Sequence, residues 1–200
     1  MKKFIILSLV IYMSGCADIP ITESESKPDT NLTDTRFNDL YDLNGWALKG
    51  RIGIQTDKEG VTATLHWAQI GDRYQLRFIA PLSQGTYELK GNQNQVSLKT
   101  SNNEQFIAED PEQLLLENVG WKVPLSGLHY WIRGIPEPNI KIDKMVKDEK
   151  GRIMDMEQAG WRISILRYTE VDKFELPGKL FLQNDRFKLR LVIQGWQTLS

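Results

Sequence analysis

Cys16 is the only cysteine in 200 residues, and its setting implies covalent chemistry. It directly follows Met13-Ser14-Gly15, and Phe4 to Met13 is an apolar run interrupted only by Ser8 and preceded by Lys2 and Lys3. A positive start, a short apolar stretch and small residues before a cut describe a secretory signal peptide. The run falls short of the about 20 apolar residues a bilayer span needs. A cysteine at this point fits a lipobox, where the thiol is acylated and becomes residue one of the mature chain. The competing reading is an ordinary secretory signal with an incidental cysteine. Other candidates for chemistry are weaker. Asp143, Asp148, Glu149, Asp155 and Glu157 form the densest acidic stretch, and paired carboxylates can act as acid and base in a glycosidase. They flank a Lys147-Asp148-Glu149-Lys150-Gly151-Arg152 turn, which reads as a solvated hairpin. His66 falls on the wet face of a strand with no nucleophile nearby, and His129 is expected on a helix surface. No Gly-x-Ser-x-Gly, phosphate loop or dinucleotide fingerprint occurs. The chain is therefore not expected to be an enzyme.

The elements around these residues set the remaining bounds. Cleavage before Cys16 leaves 185 residues, a length suited to one domain with a sizeable core. Without Lys2 and Lys3, 23 basic residues face 26 acidic ones, a net charge of −3. No strong field follows, so nucleic acid is not an expected partner. With Cys16 lipidated, no thiol remains for a disulfide, and two distant histidines exclude a structural zinc site. Neither a metal nor a cofactor is expected. Six tryptophans need a large apolar space.

Ala17 to Asn31 is polar and carries two prolines, which reads as a tether with a reach of roughly 20 Å. The expected organisation is a signal peptide over 1–15, a lipidated start and tether over 16–31, and a single domain over 32–200. Within Leu32 to Leu43, Thr33 is a candidate cap for a helix that places Phe37, Leu40 and Tyr41 on one face. From there the apolar period becomes two. Leu48, Gly50, Ile52 and Ile54 alternate with polar residues, as do Val61, Ala63, Leu65 and Trp67, then Tyr74, Leu76, Phe78 and Ala80. Strands are further expected over 86–91, 95–100, 104–108, 139–145, 152–156, 160–168, 176–183 and 187–194. Two short helices interrupt them. One runs from Pro111 to Asn118 with Asp110 and Gly120 at its ends; the other runs from Leu125 to Arg133, with Ser126 or its neighbours as candidate caps. The expected fold is mainly β, about eleven antiparallel strands in one sheet curled toward a barrel, with three short helices.

The dry face of such a sheet is either packed with its own side chains or encloses a cavity for an acyl chain, with Trp67, Trp131, Trp161 and Trp196 as candidate interior residues. The two inner helices would plug its opening. One loop stands apart, Ala80-Pro81-Leu82-Ser83-Gln84-Gly85. Pro81 stiffens it and Leu82 sits near its tip, either free to insert into a bilayer or a partner's groove, or folded back onto the sheet.

These segments together resemble the LolB family, the outer-membrane lipoprotein receptors of Gram-negative bacteria. The resemblance rests on Gly50-Arg51, Leu65-His66-Trp67-Ala68-Gln69, Arg73-Tyr74-Gln75-Leu76, Ala80-Pro81-Leu82, Val123-Pro124-Leu125 and Trp131-Ile132-Arg133-Gly134-Ile135-Pro136. Gly151-Arg152, Gln158-Ala159-Gly160-Trp161, Leu176-Pro177 and Trp196 complete it, in order over residues 43–196. It implies a half-open antiparallel β-barrel with a lid of short α-helices and a hydrophobic cavity. Leu65, Trp67, Leu76, Phe78, Trp131 and Trp161 are the candidate residues for acyl chains. It also implies transfer of lipoproteins from the periplasmic carrier LolA into the outer membrane. That transfer would be made by a monomer anchored at Cys16 and facing the periplasm, with Pro81 and Leu82 as the membrane-insertion loop. Ala17 after the cysteine is consistent with outer-membrane delivery, which an Asp there would oppose. The alternatives are a lipid-anchored binding module for another hydrophobic ligand and a cell-wall hydrolase using Asp155 and Glu157.

Overall fold

The computed structural model describes residues 30–56, 59–81 and 85–199. Cys16, the signal peptide, the tether and Leu82 lie outside the described residues. The chain runs α1 (Thr30–Tyr41), β1 (Gly45–Gln55), β2 (Gly60–Ile70), β3 (Arg73–Ile79), β4 (Thr86–Gly91), β5 (Val96–Lys99) and β6 (Gln105–Ala108). It continues through α2 (Pro111–Val119), α3 (Leu125–Trp131), β7 (Ile142–Lys147), β8 (Ile153–Gln158), β9 (Trp161–Val171), β10 (Phe174–Gln183) and β11 (Lys188–Thr198). All eleven strands form one antiparallel sheet in the order β6-β5-β4-β3-β2-β1-β11-β10-β9-β8-β7. First and last strands pair at its centre, and the free edges are β6 and β7. The sheet is open, as expected, and α2 and α3 are the link from one edge to the other.

Period-two alternation sets which face is dry. In β1 and β2 the buried set is Trp46, Leu48, Ile52, Ile54, Ala63, Leu65 and Trp67. Fully burying one such leucine or isoleucine stabilises by about 1.5–3 kcal/mol. At the β1–β11 seam the register shifts between Lys49 and Gly50. A Cβ on Gly50 would stand 2.6 Å from the Val192 carbonyl oxygen, so this close approach requires glycine.

Helix α1 packs through Leu40, fully buried, with Phe37 and Tyr41 half-buried beside it, the face expected from their spacing. It begins at Thr30, so Thr33 lies inside its first turn and is not its cap. Polar contacts tie it to the far strands. Arg36 pairs with Glu175 and lies 5.4 Å from the Tyr168 ring, and Arg152 lies 4.8 Å from the same ring while bonding Glu175 at 2.8 Å.

Helix α2 is capped as its sequence requires. The Asp110 carboxylate accepts from the N–H groups of Glu112 and Gln113 at 2.8 and 3.1 Å, and Gly120 closes the helix at φ 76°. At helix α3 the cap position falls on a neighbour of Ser126. Ser126 is not its cap; Pro124 holds that position without a side-chain bond. The cap comes from α2 instead, where the Glu112 carboxylate accepts from the Ser126 N–H at 3.2 Å and its hydroxyl at 2.8 Å. Glu112→Ala should therefore loosen α3, which lies 14 residues away, at a cost of about 1 kcal/mol, read as a lower urea midpoint with an unchanged slope. An unchanged midpoint would show that this contact carries no stability.

Strand β7 begins at Ile142, later than the expected 139. The reason is the Gln158 amide, whose Nε2 donates to the carbonyls of Glu137 and Ile140, both at 2.9 Å. Those carbonyls are held by a side chain, so the segment is kept off the ladder.

Candidate ligand cavity

Where α3 crosses the sheet, a cavity of about 900 Å³ opens between it, the β2–β3 turn and the β6–α2 junction. That volume lies within the about 300–1,000 Å³ typical of small-molecule sites. Trp67 and Leu76 project into it from β2 and β3 because both occupy dry-face positions of paired strands, Trp67 opposite Leu76. Leu125, His129, Tyr130 and Arg133 come from α3 and its end, and Tyr41 and Leu43 from the α1–β1 link. Asp72, Glu109, Asp110, Glu112 and Glu137 add carboxylates to the wall.

Of the six residues named from the sequence, Trp67 and Leu76 line this cavity. Leu65 and Phe78 have no exposed surface, and Trp121 covers Phe78 edge-on at 5.4 Å. Trp131 is buried with its indole N–H donating to Gln158 at 2.8 Å, and Trp161 packs 6.5 Å from it. These four form packed interior outside the cavity wall. Gly127 permits the Trp131 position, since a Cβ there would run into the Trp131 ring. Pro81 is exposed at the start of its loop.

The polar residues of the site carried no signal in apolar periodicity. Gln69, 4% exposed, accepts from the Trp67 indole N–H at 3.3 Å and donates to the Gly71 carbonyl at 2.7 Å, which fixes the Trp67 ring. Tyr41 donates to the Pro136 carbonyl at 2.8 Å. The Tyr74 hydroxyl is buried with no partner among the described residues, and burial with the Asp110 charge pushes its pKa up to about 12. His129 is not on a helix surface. Its imidazole is half-buried 5.8 Å from Trp46, 6.5 Å from Trp67 and 4.8 Å from Tyr130. Burial, then the nearby Arg133 charge, pushes its pKa down to about 3, so the ring is neutral at pH 7. Arg133 is 3% exposed. Its Nη1 donates to the carbonyls of Leu40 and Leu43 at 2.8 and 3.3 Å, and its Nε to that of His129 at 3.1 Å.

No group of three or more His, Cys, Asp or Glu able to hold a metal occurs among the described residues. No helix among them is long and apolar enough to cross a membrane. The arrangement sets an apolar patch at Trp67, Leu76 and Leu125 beside hydrogen-bonding and charged groups, which suits binding an amphiphile.

The open antiparallel sheet with its linking helices has the same overall fold as known solved structures. A solved LolA-superfamily protein from Nitrosomonas europaea superposes with a TM-score of 0.51 at 6% identity, covering 88% of this chain and 95% of that one. Within that fold, this chain belongs to the LolB family: the family model described as outer membrane lipoprotein LolB matches residues 44–196. The outer-membrane lipoprotein LolB of Nitrosococcus oceani is 38% identical over 193 residues, 96% of each chain. The Pseudomonas aeruginosa protein of the same name is 34% identical over 198 residues, 98% of this chain and 96% of that one.

Proposed function

We propose that this chain is an outer-membrane lipoprotein receptor. It is lipidated at Cys16, faces the periplasm, accepts lipoproteins from the carrier LolA by their acyl chains, and inserts them into the outer membrane. The observation that carries this reading is the cavity floored by Trp67 and Leu76 in a chain of the LolB family. An acyl anchor gains about 0.8 kcal/mol per buried methylene, so it cannot cross water unshielded. A cavity that binds it more tightly than the carrier draws it across without another energy source. Leu65, Phe78, Trp131 and Trp161 then form the packed surface behind the cavity, available to chains only if α2 and α3 shift. Leu82, following Pro81, is the side chain that meets the bilayer.

The test is transfer. LolA carrying a labelled lipoprotein is mixed with vesicles bearing this chain, and the label is expected to move into the vesicle membrane. Label remaining on LolA would overturn the reading. Leu82→Glu is expected to keep the far-ultraviolet circular dichroism unchanged yet slow delivery. Delivery at the unaltered rate would remove Leu82 from the mechanism.

A further inference from the structure

Arg133 is a buried charge without a counter-ion. Among the described residues no carboxylate lies within ion-pair distance of it. Its partners are three backbone carbonyls and the Tyr130 ring, 5.3 Å from the guanidinium carbon. A guanidinium carries five N–H donors, and here Nε and Nη1 are engaged while Nη2 donates to no described group. The side chain nonetheless lines the cavity, where it is the one Lys or Arg in the wall among the described residues.

The carboxylates of the same wall do not fill the gap. Asp110 is taken up by capping α2, and Glu112 by the Ser126 N–H and hydroxyl. Burial is the main influence on Arg133 and lowers its pKa to about 10. It therefore stays cationic at pH 7. Nη2, without a partner among the described residues, is not sealed off, and a charged donor beside the cavity gains from one more acceptor.

We propose that Arg133 is the polar anchor of the cavity: its free Nη2 donates to the carbonyl end of a bound acyl chain, while the hydrocarbon lies against Trp67 and Leu76. This rests on the cavity being the acyl site. The chain would thus enter in a fixed sense, carbonyl toward α3. The same chemistry is offered by an ester, as in an acylated lipoprotein anchor, and by the carboxylate of a free fatty acid.

The core draws on residues from Phe37 to Trp196, so a Cys16→Ala chain keeps all of it and is the protein to use. Methyl oleate, oleate and octadecene are delivered from cyclodextrin, and binding is followed by tryptophan fluorescence. Methyl oleate or oleate, or both, should bind at least about tenfold tighter than the hydrocarbon, the worth of one hydrogen bond from a charged donor. Whichever ratio is larger names the source of the carbonyl. In Arg133→Met both ratios should fall toward one while octadecene still binds. Ratios of one in the parent chain, or ratios that survive Arg133→Met, overturn the anchor but leave the cavity standing. Failure of all three ligands to bind the parent overturns the cavity as well. Because Arg133 also holds α1, the variant has a companion measurement on the parent alone. The infrared carbonyl stretch of bound methyl oleate should lie below its position in hexane, and an unshifted band refutes the bond.

Discussion

Gln158→Leu is expected to destabilise the protein by about 3 kcal/mol, read as a fall in the urea midpoint with little change in slope. The side chain has no exposed surface. Its oxygen accepts from the Trp131 indole N–H and the Glu137 backbone N–H, both at 2.8 Å. Its nitrogen donates to the Glu137 and Ile140 carbonyls at 2.9 Å. All four hydrogen-bonding positions of the amide are filled, so the residue is buried at little cost. Leucine has nearly the same volume, so no cavity opens, and the loss is that of the groups left behind. Ile140 is exposed and its carbonyl can turn to water, whereas Trp131 is 1% exposed and cannot. An orphaned buried donor costs about 1–3 kcal/mol, and the Trp131 and Glu137 N–H groups supply most of the effect. Glu137 and Pro138 line the cavity, so amide exchange over 137–140 should quicken more than elsewhere. A unchanged midpoint would show that water replaces the amide and that this staple is not needed.

Gln158 also marks the boundary of what the sequence made legible. Alternation at period two located most of the strands, because one face of an antiparallel sheet must be dry; the edge strands β6 and β7 bury no residue and follow that rule least. The ends of α2 were legible for the same local reason: Asp110, Pro111 and Gly120 act on their own backbone neighbours. The cap of α3 was not, because it is a carboxylate from another helix. Arg133 reads as one more helix residue in sequence, yet its carbonyl partners on Leu40 and Leu43 lie 93 and 90 residues away. The cavity wall was legible only where it coincides with strand alternation, at Trp67 and Leu76. How far α2 and α3 fill the space over Phe78 depends on Trp121, whose position follows from the path of a loop rather than from any repeat.

Acid should weaken the fold through His129 from about pH 6.5 downward. In the folded chain its pKa is about 3, against 6.5 when exposed, with burial the main cause and Arg133 the second. Between those values the unfolded chain binds a proton that the folded chain refuses, so stability is complete above pH 6.5 and falls as pH drops through the window. Two units below 6.5, at pH 4.5, the loss is about 2–3 kcal/mol. Asp148, desolvated but held below its ordinary value by Arg152, contributes only at lower pH. Glu137 acts in the opposite sense, since burial and then Glu112 raise its pKa, so the parent curve alone does not isolate the histidine. His129→Phe does, because it keeps an aromatic ring against Trp46 and Trp67 and removes the titrating group. Urea midpoints at pH 7, 5.5 and 4.5 should diverge, the parent falling away from the variant by that amount, and parallel curves would mean that His129 is solvated. At neutral pH the uncharged imidazole keeps a second cation away from Arg133, which leaves Arg133 the one cationic donor among the described residues in the wall beside Trp67 and Leu76.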